Sequence, residues 1–375
     1  MNEQLLLEQV RELAPLSRAE LARISSLSKP TVALALANLE RDGLVRVAGH
    51  RTGVRGPAAV LYEIRPEAGY VLGLDVGREF VRGALADLSG TIRAKASQRS
   101  HASTASGRLA ELAALADGLT ASAGLTRTKV TQTVIGSPGV YDPEKGALTM
   151  ARNLSGWEQP IVLTELRRLF GRTTVVENDV DVAALAERDH GHGRGVDTFA
   201  FVSVGTGIGM GLVLEGKLHR GAHGTAGEIG YLPLAGTDVD PADARRRGTF
   251  EAAAAASAVV RSARRSGMKG SLSARRVFAD AVAGDARAQT IVAEEATLIA
   301  QALASIIAVV DPELIVLGGG IGRAPGFAAQ VGAALEALAP VVPEIRVSAL
   351  GDDAVVDGCL AAGMERAWRR VLERS

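Results

Sequence analysis

From Pro66 onward, short apolar runs end again and again in glycine clusters, and this constrains the fold more than any other feature of the 375 residues. Tyr70 to Val76 reads as a strand closing on Asp75-Val76-Gly77, and Glu79 to Asp87 pairs with Thr91 to Ser97 as a hairpin around Leu88-Ser89-Gly90. Thr173 to Glu177 is a further strand, running into Asn178-Asp179 at the mouth of an alanine-rich helix. Phe199 to Val204 leads into Gly205-Thr206-Gly207-Ile208-Gly209-Met210-Gly211 and a strand to Leu214. Leu314 to Leu317 runs into Gly318-Gly319-Gly320, with a helix after Pro325. Strands alternating with helices in this way predict an α/β architecture. Glycines between strands let backbone amides converge on an anion. A plain glycine-rich hairpin has the same pattern, so the spacing alone leaves both readings open.

The first 65 residues follow a different plan. Leu5, Leu6, Val10 and Leu13 have helical spacing and stop near Pro15. Ser17 and Glu20 form a capping-box pair for a second helix, about Arg18 to Ser25. After Ser26 and Leu27, Ser28 caps a third helix with Pro30 in its first turn, and Gly43 stops it. Two strands, around Leu44 to Ala48 and Ala58 to Ile64, then flank a loop carrying His50, Arg51 and Arg55. This helix, helix, helix, wing order predicts a winged helix-turn-helix, whose third helix enters the major groove of DNA. Ser28, Lys29, Thr31 and Asn38 on that helix, with Arg51 and Arg55 in the wing, are the candidate DNA contacts. From Arg18 to Arg65 there are eight Lys or Arg against four acids, a local positive excess. Alone, the segment leaves a lesser alternative, a small helical module for protein contacts with a solvated basic loop.

Whole-chain charge adds nothing, since Lys plus Arg and Asp plus Glu are both 42. Hydrophobic residues make up 47% and charged residues 22%, enough for a sizeable core. Met1 to Val10 carries Glu3 and Glu8 and lacks the basic start of a signal peptide; the run Ala252 to Val260 is too short for a membrane span. A cytoplasmic location with no membrane partner is expected. The single cysteine, Cys359, has no internal disulfide partner and sits in an apolar helical pattern, as core filler.

Three stretches together carry a resemblance: Val204 to Tyr231, with Arg220-Gly221-Ala222-His223-Gly224-Thr225-Ala226-Gly227-Glu228-Ile229-Gly230; Glu177-Asn178-Asp179-Val180-Asp181-Val182-Ala183-Ala184; and Asp311 to Gly322. In this order they resemble the ROK family (repressors, open reading frames, kinases). The resemblance implies a winged helix-turn-helix over residues 1–65 and, over 66–375, a two-lobed actin-like, hexokinase-like domain around a sugar cleft. It places Asn153, Asn178, Asp179, Glu228, Tyr231 and Glu251 around an effector, with Asp179 at the position of the kinases' general base. Asp75, Gly77, Gly205, Thr206, Gly207 and Gly319 fall at nucleotide-binding positions. Carboxylates and amides suit vicinal hydroxyls because they accept and donate in fixed directions.

The chain also departs from the family pattern. Kinases of the family carry Asp-x-Gly-Gly-Thr in the first phosphate loop, where this chain has Asp75-Val76-Gly77-Arg78-Glu79. The family's structural zinc uses a histidine and three cysteines. Tyr231 stands at the histidine position, Thr249 at the last cysteine, and Leu232 to Phe250 contains neither residue type. His190, His192, His219 and His223 offer no replacement set, so no metal or cofactor is expected. These departures point to a sugar-responsive regulator of carbohydrate-related genes, a repressor working as a homodimer or homotetramer on an operator duplex. The alternative is an ATP-dependent sugar kinase with a fused DNA-binding module.

Overall fold

The computed structural model describes residues 2–51, 58–142, 144–151, 153–234, 236 and 239–374. Helix α1 (Asn2–Leu13) buries Leu6, Leu7 and Val10. Helix α2 (Arg18–Ser25) starts on the expected capping box: the Ser17 hydroxyl accepts from the Glu20 amide, and the Glu20 carboxylate accepts from the Ser17 amide at 2.8 Å. Helix α3 (Lys29–Arg41) starts on Ser28, whose hydroxyl accepts from the Thr31 amide, and buries Val32, Ala35, Leu36 and Leu39. Gly43, at φ 73°, turns the chain into the wing. Strand β2 (Val45–Arg51) pairs antiparallel with β3 (Ala59–Ile64). A short strand the sequence does not announce, β1 (Leu16–Ser17), joins the other edge of β3. Arg55 lies outside the described residues.

Two five-stranded sheets built to the same plan follow. In the first, β4 (Tyr70–Val76) is central; on one side β5 (Phe80–Asp87) pairs antiparallel with it and β6 (Ile92–Arg99) antiparallel with β5, and on the other β7 (Val130–Ser137) and β10 (Val175–Asn178) run parallel. Helix α4 (Ala105–Ser122) lies between β6 and β7 in sequence, and the hairpin β8 (Val140–Asp142) and β9 (Ala147–Thr149), with α5 (Pro160–Phe170), between β7 and β10. Helix α6 (Asp179–His190) then leads to the second sheet. There β11 (Phe199–Val204) is central, β12 (Ile208–Leu214) and β13 (Lys217–Leu218) are antiparallel, and β14 (Leu314–Gly318) and β15 (Glu344–Val347) are parallel. Parallel strands need long crossovers, and helices supply them.

Between β13 and β14 lie α7 (Pro241–Arg247), α8 (Thr249–Ala254), α9 (Ala256–Arg265), α10 (Ala274–Val282) and α11 (Ala286–Val310). By length and composition α11 is apolar enough to cross a membrane, yet its stripe from Ala288 through Ile299 to Ile307 packs into the core of the second lobe. Short α12 (Gly319–Gly322) and α13 (Phe327–Glu336) precede β15, and α14 (Ala354–Arg374) closes the chain. Helix α14 returns across the first sheet. Val356, Leu360, Ala367, Trp368 and Val371 share one apolar cluster with Val71, Ala84, Ala86 and the α1–α3 core. Cys359 is free and buried, as expected of core filler.

Candidate functional site

Because both sheets place their central strands alike, the loops leaving them meet. Gly77 to Phe80 follows β4, Gly205 to Gly207 follows β11, Gly319 and Gly320 follow β14, and the start of α6 brings Asp179. With Asn153, Asn178, Asp181, Glu228, Tyr231 and Glu251 they line one cleft of about 490 Å³. Two glycines are required by sterics: a Cβ on Gly319 (φ 76°) would lie 2.3 Å from the Val204 carbonyl oxygen, and one on Gly227 (φ 93°) 1.9 Å from that of Met210. Such close backbone approach lets the β14 and Glu228 segments reach the cleft.

Asn178 caps α6. Its Oδ1 accepts from the amides of Val180 and Asp181 at 2.9 and 3.2 Å, while its Nδ2 donates to the Gly139 carbonyl at 3.1 Å. The acceptor is thus committed to the helix, and the residue aims Asp179. Burial pushes Asp179 up to about 6, against the helix amide of Val180 that holds it down. Glu228 is pushed up to about 7, by burial first and then by the charges of Asp179 and Glu251. Glu251 is also raised by burial, and its carboxylate accepts from the Ile208 amide at 2.9 Å, bracing the glycine loop of residues 205–207. Tyr231 donates its hydroxyl to the Arg246 carbonyl at 3.3 Å, and Asn153 is exposed at the rim. Carboxylates crowded into a partly desolvated cleft suit a ligand that brings many hydroxyl donors.

Asp75, expected at a nucleotide-binding position, has a protein partner of its own. It is 5% exposed, does not line the cleft, and is paired with Arg82 at 3.1 Å. Burial raises its carboxyl to about 7 despite that partner. A buried carboxylate facing a guanidinium seven residues on, across a hairpin, satisfies itself before any ligand arrives. Arg82 also lies 3.6 Å from Asp352, which a second guanidinium, Arg323, contacts as well. Arg108 of α4, itself buried, donates to the Gly77 carbonyl at 2.6 Å and fixes the first loop from behind. Asp181, 5% exposed and raised by burial to about 7, lines the cleft beside Asp179. Arg246 and Arg247 reach the cleft from α7, both paired with Asp243. Arg82, Arg108 and the α7 pair escaped sequence reasoning because their partners are distant or unremarkable in sequence. Asp181 had a signal, its place two residues after Asp179 on a helix start.

In the N-terminal module, Ser28 and Lys29 are exposed and Thr31 half-buried at the start of α3. Four expected contacts have protein partners. The Ser28 hydroxyl is engaged by the Thr31 amide and lies 2.7 Å from the Thr31 hydroxyl. Asn38 donates to Glu3 of α1, and Arg51 donates to Glu20 at 2.7 Å. Asn38 sits on the flank facing α1, so it ties two helices together and does not face outward. Arg51 and Glu20 face each other across the wing and α2, which draws the guanidinium back toward the protein and holds the Glu20 carboxyl down at about 2, chiefly through the Ser17 amide and then Arg51.

The profile of the ROK family matches residues 71–363, well over half of the chain. The chain belongs to the ROK family. It is similar to a xylose repressor of Caldicellulosiruptor bescii, 24% identical across 96% of this chain and 94% of that protein. Among solved structures, a ROK family transcriptional regulator, a homolog of the E. coli MLC protein, matches all of this chain and 97% of that one with a TM-score of 0.78 at 22% identity. The ROK hexokinase from Thermus thermophilus matches 79% of this chain and 98% of its own with a TM-score of 0.67 at 28% identity. The repressor and the ROK transcriptional regulator are thus matched over 96% and 100% of this chain, and the hexokinase over 79% of it.

The structural zinc of other ROK proteins does not fit this chain. Tyr231 is bonded into the α7 backbone, and Thr249 opens α8 with no sulfur or imidazole between them. Among the described residues no group of three or more His, Cys, Asp or Glu side chains is disposed to hold a metal. The same segment is instead tied by the Asp243 carboxylate, which accepts from Arg246 at 2.9 Å and Arg247 at 2.7 Å.

Proposed function

We propose that this ROK protein is a cytoplasmic, sugar-responsive transcriptional repressor of carbohydrate-related genes. In this reading residues 1–65 bind an operator duplex and residues 66–375 bind a sugar or sugar derivative. The observation that carries it is a winged helix-turn-helix sharing one apolar core with the helix that runs back from a carboxylate-lined cleft. The similarity to a xylose repressor across 96% of this chain supports the repressor reading. Operators read by this motif have two half-sites about a helical turn or a multiple apart, so the working species is a homodimer or a homotetramer.

In the cleft Asp179, Asp181 and Glu228 accept sugar hydroxyls, Asn153 contributes from the rim, and Asn178 and Glu251 hold the framework. Phosphoryl transfer needs charge stabilisation at the transferring group. The sealed Asp75–Arg82 pair and the Arg78-Glu79 side chains at the first loop favour a binding site over a kinase. Asp179 and the glycine loop of residues 205–207 are what a kinase reading would use. The test joins both. A panel of sugars is screened by thermal shift, and operator affinity is measured with and without the stabilising sugar. We expect Asp179→Ala to lose the sugar response while operator affinity without sugar stays within about threefold, since the two sites lie in different parts of the chain. A full response in that variant moves the sensor elsewhere. Release of ADP with that sugar at about 1 per second, abolished in Asp179→Ala, overturns the non-enzymatic reading.

A further inference from the structure

Helix α3 leaves few polar side chains free to read bases. Ser28 and Thr31 are bonded to each other, Asn38 to Glu3, and Arg41 to Asp42. Facing away from the core, at the middle of the helix and one turn past Thr31, stands Leu34, 67% exposed. Its nearest neighbours on that side, Pro30, Ala33 and Ala37, are all shorter, and Arg41 two turns on is held by Asp42, so Leu34 is the longest apolar side chain on that face. One leucine among small residues is far too little surface for a stable protein partner, which covers about 800 Å² on each side. The same module exposes Arg23 and Lys29, neither of which makes an ion pair among the described residues. An apolar tip in a module that also exposes the unpaired cations Arg23 and Lys29 suits a polyanion that offers an apolar feature, and in the major groove that feature is the thymine 5-methyl group.

We propose that Leu34 reads a thymine methyl in each operator half-site and is the principal specificity-determining residue of α3. The inference rests on the DNA-binding reading above. Lys29 then contributes affinity through phosphate and Leu34 contributes sequence choice.

The experiment uses the full chain. A duplex is selected from a random library, and each thymine in it is replaced by uracil, which deletes the methyl and leaves the pairing edge intact. Loss of one contacted methyl is expected to weaken binding about fourfold, the factor that about 0.8 kcal/mol represents. Leu34→Ala should bind thymine and uracil duplexes equally, with an unchanged melting temperature because the side chain is exposed. Lys29→Ala should lower the salt dependence of affinity and keep the thymine preference. A selected duplex that tolerates uracil everywhere, or a Leu34→Ala protein that still prefers thymine, overturns this inference alone. A chain that selects no duplex overturns the proposed function along with it.

Discussion

Asp75, Asp179, Asp181 and Glu228 hold their protons to about pH 6 or 7, because burial penalises the charged form more than any nearby group favours it. In the unfolded chain the same groups titrate near 4. The folded state therefore binds more protons between about pH 4 and 7, and its stability falls as pH rises through that window. Glu20 acts in the opposite sense, contributing stability above its unfolded value that is lost only toward pH 2, so it does not interfere. We expect the melting temperature of the ligand-free protein to decline from pH 5.5 to 8 and Asp179→Asn to flatten that decline. A sugar that donates hydroxyls prefers ionised acceptors, so its affinity should rise over the same interval. Calorimetry at four pH values checks both slopes, and a rising ligand-free melting temperature contradicts them. At this scale the sequence revealed the cleft groups that sit in short contiguous motifs, such as Asn178-Asp179 and Glu228. It did not show the protein partners of Asp75, Asn38 and Arg51, because Arg82, Glu3 and Glu20 are brought to them only by folding.

Helix α2 shows why some elements are legible and others are not. Its capping box is a local rule, readable from Ser17 and Glu20 and present with both reciprocal bonds. Strand β1 is two residues long, too short for any alternation, and exists because β3 offers Leu61 and Tyr62 an edge to pair. Most other strands were visible from their glycine boundaries, whereas the shared plan of the two sheets emerges only from pairing. Losing a cap typically costs about 1 kcal/mol, so Ser17→Ala should destabilise the protein by that amount in urea unfolding. Arg51→Ala removes a half-exposed ion pair from the same corner and should change stability by about 0 to 1 kcal/mol. An Arg51 effect larger than that of Ser17 would show that the wing, and not the cap, holds α2 in place.

Helix α14 connects the two functions of the molecule. Its leading turn adjoins Asp352, contacted by Arg82 from the first sheet and by Arg323 from the segment after Gly319 in the second. Arg323 also donates to the Gly319 carbonyl at 3.3 Å, within the lining of the cleft. Further along, Arg366 donates to Glu177, next to Asn178, at 2.7 Å. At the far end Trp368 packs with Leu6, Leu7 and Val10, Arg11 lies over its ring, and Gln4 donates to the Leu372 carbonyl at 2.6 Å. A ligand that draws the lobes together changes the distance between Arg82 and Arg323, and Asp352 can follow only one of them. We expect that displacement to pass along α14 to the winged module. Coupling of this kind is worth about 1 to 3 kcal/mol, or roughly 5- to 150-fold in operator affinity. Asp352→Asn keeps the shape and removes the charge, and because Asp352 is largely exposed the fold should lose no more than about 1 kcal/mol. We expect that variant to bind sugar and operator separately with affinities near those of the unmodified chain, while the factor by which sugar weakens operator binding falls toward one. Titrating operator with and without saturating sugar measures that factor directly. If it stays at its original value in Asp352→Asn, the signal reaches the winged helix by a route that bypasses the leading end of α14.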